Sequence, residues 1–175
     1  MNRPGFAVFT MTKVVKRRMS APADTMDDFI AFGRDLLLKA GSFQGQVFLF
    51  LFWGINENLT QMVQIVNGNI KPTIVARRLV EKLKPDSFVL VYESWALILG
   101  PKQEIPATSI ADRPDRREAL IFFYCSRTKK RFLRQMFHHD ERDGAIKFDE
   151  LIEDKDMELS GLIGDMKIPG ADVYQ

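Results

Sequence analysis

The chain has 175 residues, 46% of them apolar and 27% charged, which suffices for one hydrophobic core and excludes wholesale disorder. The formal charge of +2 hides a polarity: residues 1–134 hold 21 Lys and Arg against 12 Asp and Glu, and residues 135–175 hold 4 against 11. The single cysteine, Cys125, excludes an intrachain disulfide and a zinc site built mainly from thiolates.

Charge asymmetry bears on partners and self-contact, not on fold. A lone thiol fits a reducing compartment. The N-terminal run 5–12 is too short and polar for a secretory signal, and the most apolar stretch, 47–55, is too short to span a bilayer as a helix. These features predict a cytoplasmic protein with no membrane contact.

In chain order, residues 1–22 read either as a basic arm around Lys16, Arg17 and Arg18 or as an edge strand from Phe6, Val8, Val14 and Val15. Met26, Phe29, Ile30, Leu36 and Leu37 recur at helical spacing and predict a helix over 24–40. Asp24, Asp27 and Asp28 lie at its positive end and Gly41 stops it. Residues 47–55, VFLFLFWGI, are apolar at every position, the signature of a central strand covered on both faces. The turn signal at Asn56-Glu57-Asn58 returns the chain as a second strand over 59–66 in a hairpin.

Pro72 opens a helix over 72–84, and Pro85 closes it. A strand follows over 88–99, and the proline-bearing stretch 100–117 reads as a long loop. Residues 118–126 and 130–140 form a second hairpin, and Asp143-Gly144 turns the chain into a strand over 145–151. The remainder is acidic. This order predicts an α+β domain, a mainly antiparallel sheet with two amphipathic helices packed on one face of it. The strand–helix–strand passage from 59 to 99 leaves room for a small parallel element. The domain occupies 23–151, with 152–175 as an acidic C-terminal segment.

The usual nucleophile and base types are scarce. With Thr128 and Lys129 as the hairpin loop, Cys125 faces Phe132 and His138 faces Ala119, about 20 Å away, which argues against a Cys–His dyad and for a buried structural thiol. Adjacent His138 and His139 point to opposite faces of a strand and cannot share one metal ion. No phosphate-binding glycine loop, zinc-protease helix or serine elbow is present, and no cofactor is expected.

Two clusters remain as candidates. The register places Glu118 opposite His139, gathering Asp115, Glu118, His138 and His139 at one hairpin end beside the long loop, where carboxylates and an imidazole could do acid–base work. At the other end Arg127, Lys129, Lys130, Arg131 and Arg134 surround the tip, a set that could follow phosphates. Residues 113–134 carry eight basic and two acidic side chains, so the acidic segment 149–165 is expected to contact them, within one chain or between copies.

Tyr92-Glu93-Ser94-Trp95, the loop, and Arg113-Pro114-Asp115-Arg116-Arg117-Glu118-Ala119-Leu120 resemble a pattern in small uncharacterised bacterial and phage proteins, E-A-W, loop, H-P-D-R-x-E-x-L. Ser94 stands where that pattern has Ala, and Arg113 where it has His. That family has no assigned activity, so the resemblance implies a bacterial or phage origin and a meeting in space of Glu93, Trp95, Asp115, Arg116 and Glu118, and carries no catalytic assignment.

The resulting expectation is a non-enzymatic binding or regulatory protein that associates with a second copy or another protein. The alternatives are a small hydrolase or ligand-binding protein using Asp115, Glu118 and His139, and a nucleic-acid binder using the basic tip.

Overall fold

Strand β2 (Val47–Trp53) organises the molecule, because its first six residues are all buried. Phe48, Phe50 and Phe52 point to one face of the sheet and Val47, Leu49 and Leu51 to the other. A strand apolar on both sides needs cover on both sides. The computed structural model describes residues 8–9, 19–97, 104, 107–154 and 166–169. It supplies that cover with one helix on each face.

The sheet has seven strands in the order β1-β3-β2-β4-β5-β6-β7. Beside β2 these are β1 (Val8–Phe9), β3 (Asn58–Ile65), β4 (Ser87–Ala96), β5 (Arg117–Ser126), β6 (Lys130–His139) and β7 (Ile146–Glu153). Every neighbouring pair is antiparallel. The α+β class with a mainly antiparallel sheet is therefore the architecture. Of the first 22 residues, Val8 and Phe9 pair with Ile65 and Gln64 at the sheet edge, while 1–7 and 10–18 lie outside the described residues.

Helix α1 (Asp27–Ala40) lies on the phenylalanine face and ends at Gly41, whose φ of +77° lets its N–H reach the Leu37 carbonyl at 2.8 Å. Phe29 meets Phe50 edge-on at 5.1 Å, and Phe32 meets Phe48 and Phe50 at 5.2 Å. Helix α2 (Pro72–Leu83) lies on the aliphatic face, where Ala76 and Val80 pack on Leu49, Val63 and Leu90. The expectation that both helices share one face is thus corrected. Two helices on one side would leave half of the β2 side chains in water.

Helix α2 carries the chain from β3 to β4 across the strand between them. Both are antiparallel to β2 and so parallel to each other, but β2 separates them and no parallel ladder forms. The small parallel element is absent because β2 already holds the facing edge of each.

The β5–β6 hairpin turns one residue earlier than expected. Ser126 N–H donates to the Lys129 carbonyl at 2.8 Å, and its hydroxyl accepts from the N–H of Lys129 at 3.0 Å, so Arg127 and Thr128 form the loop. Cys125 consequently pairs with Lys130, not Phe132, and Glu118 with Phe137. The shift moves partners by two residues and leaves each side chain on its expected face. Among the described residues no helix is long and apolar enough to cross a membrane.

Two features tie distant segments together. Glu57, in the β2–β3 turn with φ of +46°, accepts from Ala23 N–H at 2.8 Å and from the Tyr124 hydroxyl. Met166 and Ile168 are buried on the α2 face, so the described part of the C-terminal segment belongs to the same core.

At Gly33 helix α1 lies close on the sheet. A methyl group there would lie 2.8 Å from Phe122 Cε1 and 3.1 Å from Val91 Cγ1, both in fully buried side chains. Gly33→Ala would gain about 1 kcal/mol of helix propensity but incur about 1–3 kcal/mol of overpacking. The expected result is a net loss of stability in denaturant melts, the opposite of the usual effect of alanine for glycine in a helix.

Candidate functional site

Three strand ends converge where β4 finishes, β5 begins and β6 finishes. The ladders set Trp95 beside Glu118 and Glu118 beside Phe137, one row on the α1 face. One step inward on the same face lie Glu93, Leu120 and Gln135. His139, two residues beyond Phe137, also faces this side and brings its Nε2 to 3.7 Å from Glu118 Oε2.

His138 points the other way, its Nδ1 3.6 Å from Asp149 Oδ1. Arg117, on that same far face, pairs with Asp149. Strand alternation thus gives each histidine its own carboxylate on its own face.

The loop that enters β5 closes the end of the sheet. Arg113 donates twice to the Asp115 carboxylate, at 2.8 Å each, and holds it below the usual carboxylate range. Both groups stay exposed, so Asp115 serves the turn. Arg116 follows and lays its guanidinium carbon 4.1 Å from the Trp95 ring centroid. Between loop and strands is an open cleft of about 700 Å³, lined by Trp95, Arg113, Arg116, Glu118, His138 and His139 among others.

Charge in the cleft is unevenly matched. Burial first, and then the neighbouring Glu93 charge, pushes the Glu118 carboxyl above its ordinary value, against a smaller opposing pull from His139 and Arg116. Glu93 itself is held from behind. One of its oxygens accepts from the Ser42 hydroxyl at 3.0 Å and from Phe43 N–H at 2.7 Å, tying the loop after α1 to β4. Among the described residues Arg116 has no carboxylate within ion-pair distance, and neither Glu93 nor Glu118 has a Lys or Arg within it. No group of side chains able to hold a metal ion is found among the described residues.

Of the residues singled out in the sequence, Glu93, Arg116, Glu118 and His139 come together, with Trp95. Asp115 stands aside, and His138, although it lines the cleft, pairs with Asp149 on the opposite face. The basic tip is a separate region, about 25 Å along the hairpin, and its charge is largely matched within the chain. Arg127 pairs with Asp86, Arg131 with Glu153 and Arg134 with Asp154, while Lys130 lies beside Cys125 in the ladder. The acidic-to-basic contact therefore occurs inside one chain for Asp149, Glu153 and Asp154; residues 155–165 lie outside the described set. Asp112 and Pro114 line the cleft without having been picked out. Pro114 belonged to the H-P-D-R-like stretch and Asp112 only to the long loop.

A second, more apolar groove of about 640 Å³ opens between α1 and the β2–β3 hairpin, over Phe32, Leu36, Phe43, Phe48 and Met62. Comparison of the chain with protein-family models, curated proteins and solved structures returns no match.

Two outcomes are expected at these sites. Because the Glu118 carboxyl titrates above its unfolded value, the folded state loses stability as pH rises through that interval. Glu118→Gln removes the loss, so its melting temperature should exceed that of the native chain at pH 7 and match it near pH 3. Cys125 is fully buried beneath the Met166 carbonyl, 3.9 Å from its sulfur. It should react with a thiol reagent only slowly until the protein is unfolded in denaturant.

Proposed function

We propose that this chain is a non-enzymatic binding protein whose ligand enters the cleft at the β4–β5–β6 end and presents an anionic group to Arg116. The observation that carries the reading is the Arg116 guanidinium held on the Trp95 ring with no carboxylate in ion-pair range among the described residues. A guanidinium fixed in this way is pre-oriented for a carboxylate or phosphate, so less side-chain freedom is lost on binding. Trp95, 39% exposed at the sheet end, gives the ligand an apolar wall. Among the described residues the cleft lining contains no Ser, Thr, Cys or Lys, so no hydroxyl, thiol or amine nucleophile is in place there.

Support for the other readings is thinner. The ion pairs around the β5–β6 tip leave little unmatched charge for a phosphate backbone.

The two tryptophans allow a direct test. In a Trp53→Phe protein the remaining fluorescence reports Trp95. Titration with inorganic phosphate or 4-methylpentanoate should change it saturably, and Arg116→Gln should weaken binding about tenfold or more, the loss of one charge-assisted contact. An unchanged titration in the Arg116→Gln protein would overturn the reading.

A further inference from the structure

The cleft offers more than one charge. Glu118 opens into it with 27% of its side chain exposed, and its ionic partner among the described residues is the His139 imidazole at 3.7 Å. Behind Glu118 stands Glu93, held by Ser42 and Phe43, so the negative charge is doubled and one carboxylate cannot swing away. Arg116, two residues earlier, stays on Trp95 rather than closing on Glu118. Glu118, backed by the Glu93 carboxylate, and the anion-seeking Arg116 guanidinium therefore line one cavity without forming an ion pair.

We infer that the ligand is a small zwitterion, an amino acid, with its carboxylate on Arg116 and its ammonium on Glu118. This rests on the cleft being a binding site and adds the second half of the recognition. An ammonium fits the acidic side better than a metal ion does, because the described residues form no metal-holding group there. It brings three hydrogen-bond donors on a compact charge, suited to a carboxylate that accepts but cannot donate when ionised. Its charge also relieves the Glu93–Glu118 repulsion, which a neutral or anionic ligand leaves in place. Trp95 and Pro114 give the amino-acid side chain an apolar surface.

Three probes separate the two halves: L-leucine, 4-methylpentanoate, which lacks the ammonium, and 3-methylbutylamine, which lacks the carboxylate. Each is titrated into the Trp53→Phe protein at pH 7 and low salt, with Trp95 fluorescence as readout. Leucine should bind about tenfold or more tighter than either half-ligand, since each contributes only one charge-assisted contact. Glu118→Gln should weaken leucine about tenfold while leaving 4-methylpentanoate equal or stronger, because the repulsive carboxylate is gone. Arg116→Gln should weaken both.

Leucine binding no tighter than 4-methylpentanoate, or leucine unaffected by Glu118→Gln, would overturn the zwitterion and leave the anion site standing. Absence of a fluorescence response to all three probes and to phosphate would remove both.

Discussion

A strand buried on both faces is the constraint from which the rest of the architecture follows. Six consecutive apolar residues in β2 cannot leave either side to water, at about 25 cal/mol for each square ångström of apolar surface exposed. β2 must be interior, with β3 and β4 on its edges, and a helix must lie on each face. The crossing of α2 over β2 meets both demands at once, since it covers the aliphatic face while delivering β4 to the open edge. α1 then sits close enough over Val91 and Phe122 that only glycine fits at position 33.

That rigid centre positions the cleft. Trp95, Glu118 and Phe137 lie in one row because β4, β5 and β6 are consecutive antiparallel neighbours. Glu93 is fixed from the other direction by the loop that ends α1. At the far edge, the β6–β7 ladder is irregular between Gln135 and Phe137, and Gln135 serves the gap. Its side chain accepts from Arg34 Nε at 2.7 Å and donates to the Asp149 carbonyl at 2.8 Å. Asp149 is thereby placed against Arg117 and His138.

Much of this was legible in the chain. Continuous burial in β2, helical spacing from Met26 to Leu37, Pro72 at a helix start and Asp143-Gly144 at a turn are local signals, and the elements they announce are present. The faces on which the helices lie were not local. Spacing shows that a helix has an apolar side, but which side of a sheet receives it depends on a strand elsewhere. The hairpin register turned on the Ser126 hydroxyl, a short-range competitor for backbone groups that residue counting misses. Trp95 was ambiguous because an aromatic in a strand packs inward more often than it meets a guanidinium. The ion pairs around Arg131 and Arg134 needed β7 in register, so basic residues that are clustered in sequence looked freer than they are.

The strand order has a bearing on how the sheet is assembled. β2 and β3 meet across a short turn, β4 joins the remaining edge of β2, and β5, β6 and β7 each add to the strand made just before them. From β4 onward no strand waits for a later one to find its first neighbour. The sheet can therefore extend in the direction in which the chain is synthesised, with short loop closures at the β5–β6 and β6–β7 turns. The exceptions are β1, which needs the later β3, and the 166–169 segment, which returns to cover Cys125. Growth outward from β2 thus finishes with the residues that seal the α2 face, the last described part of the chain to be made.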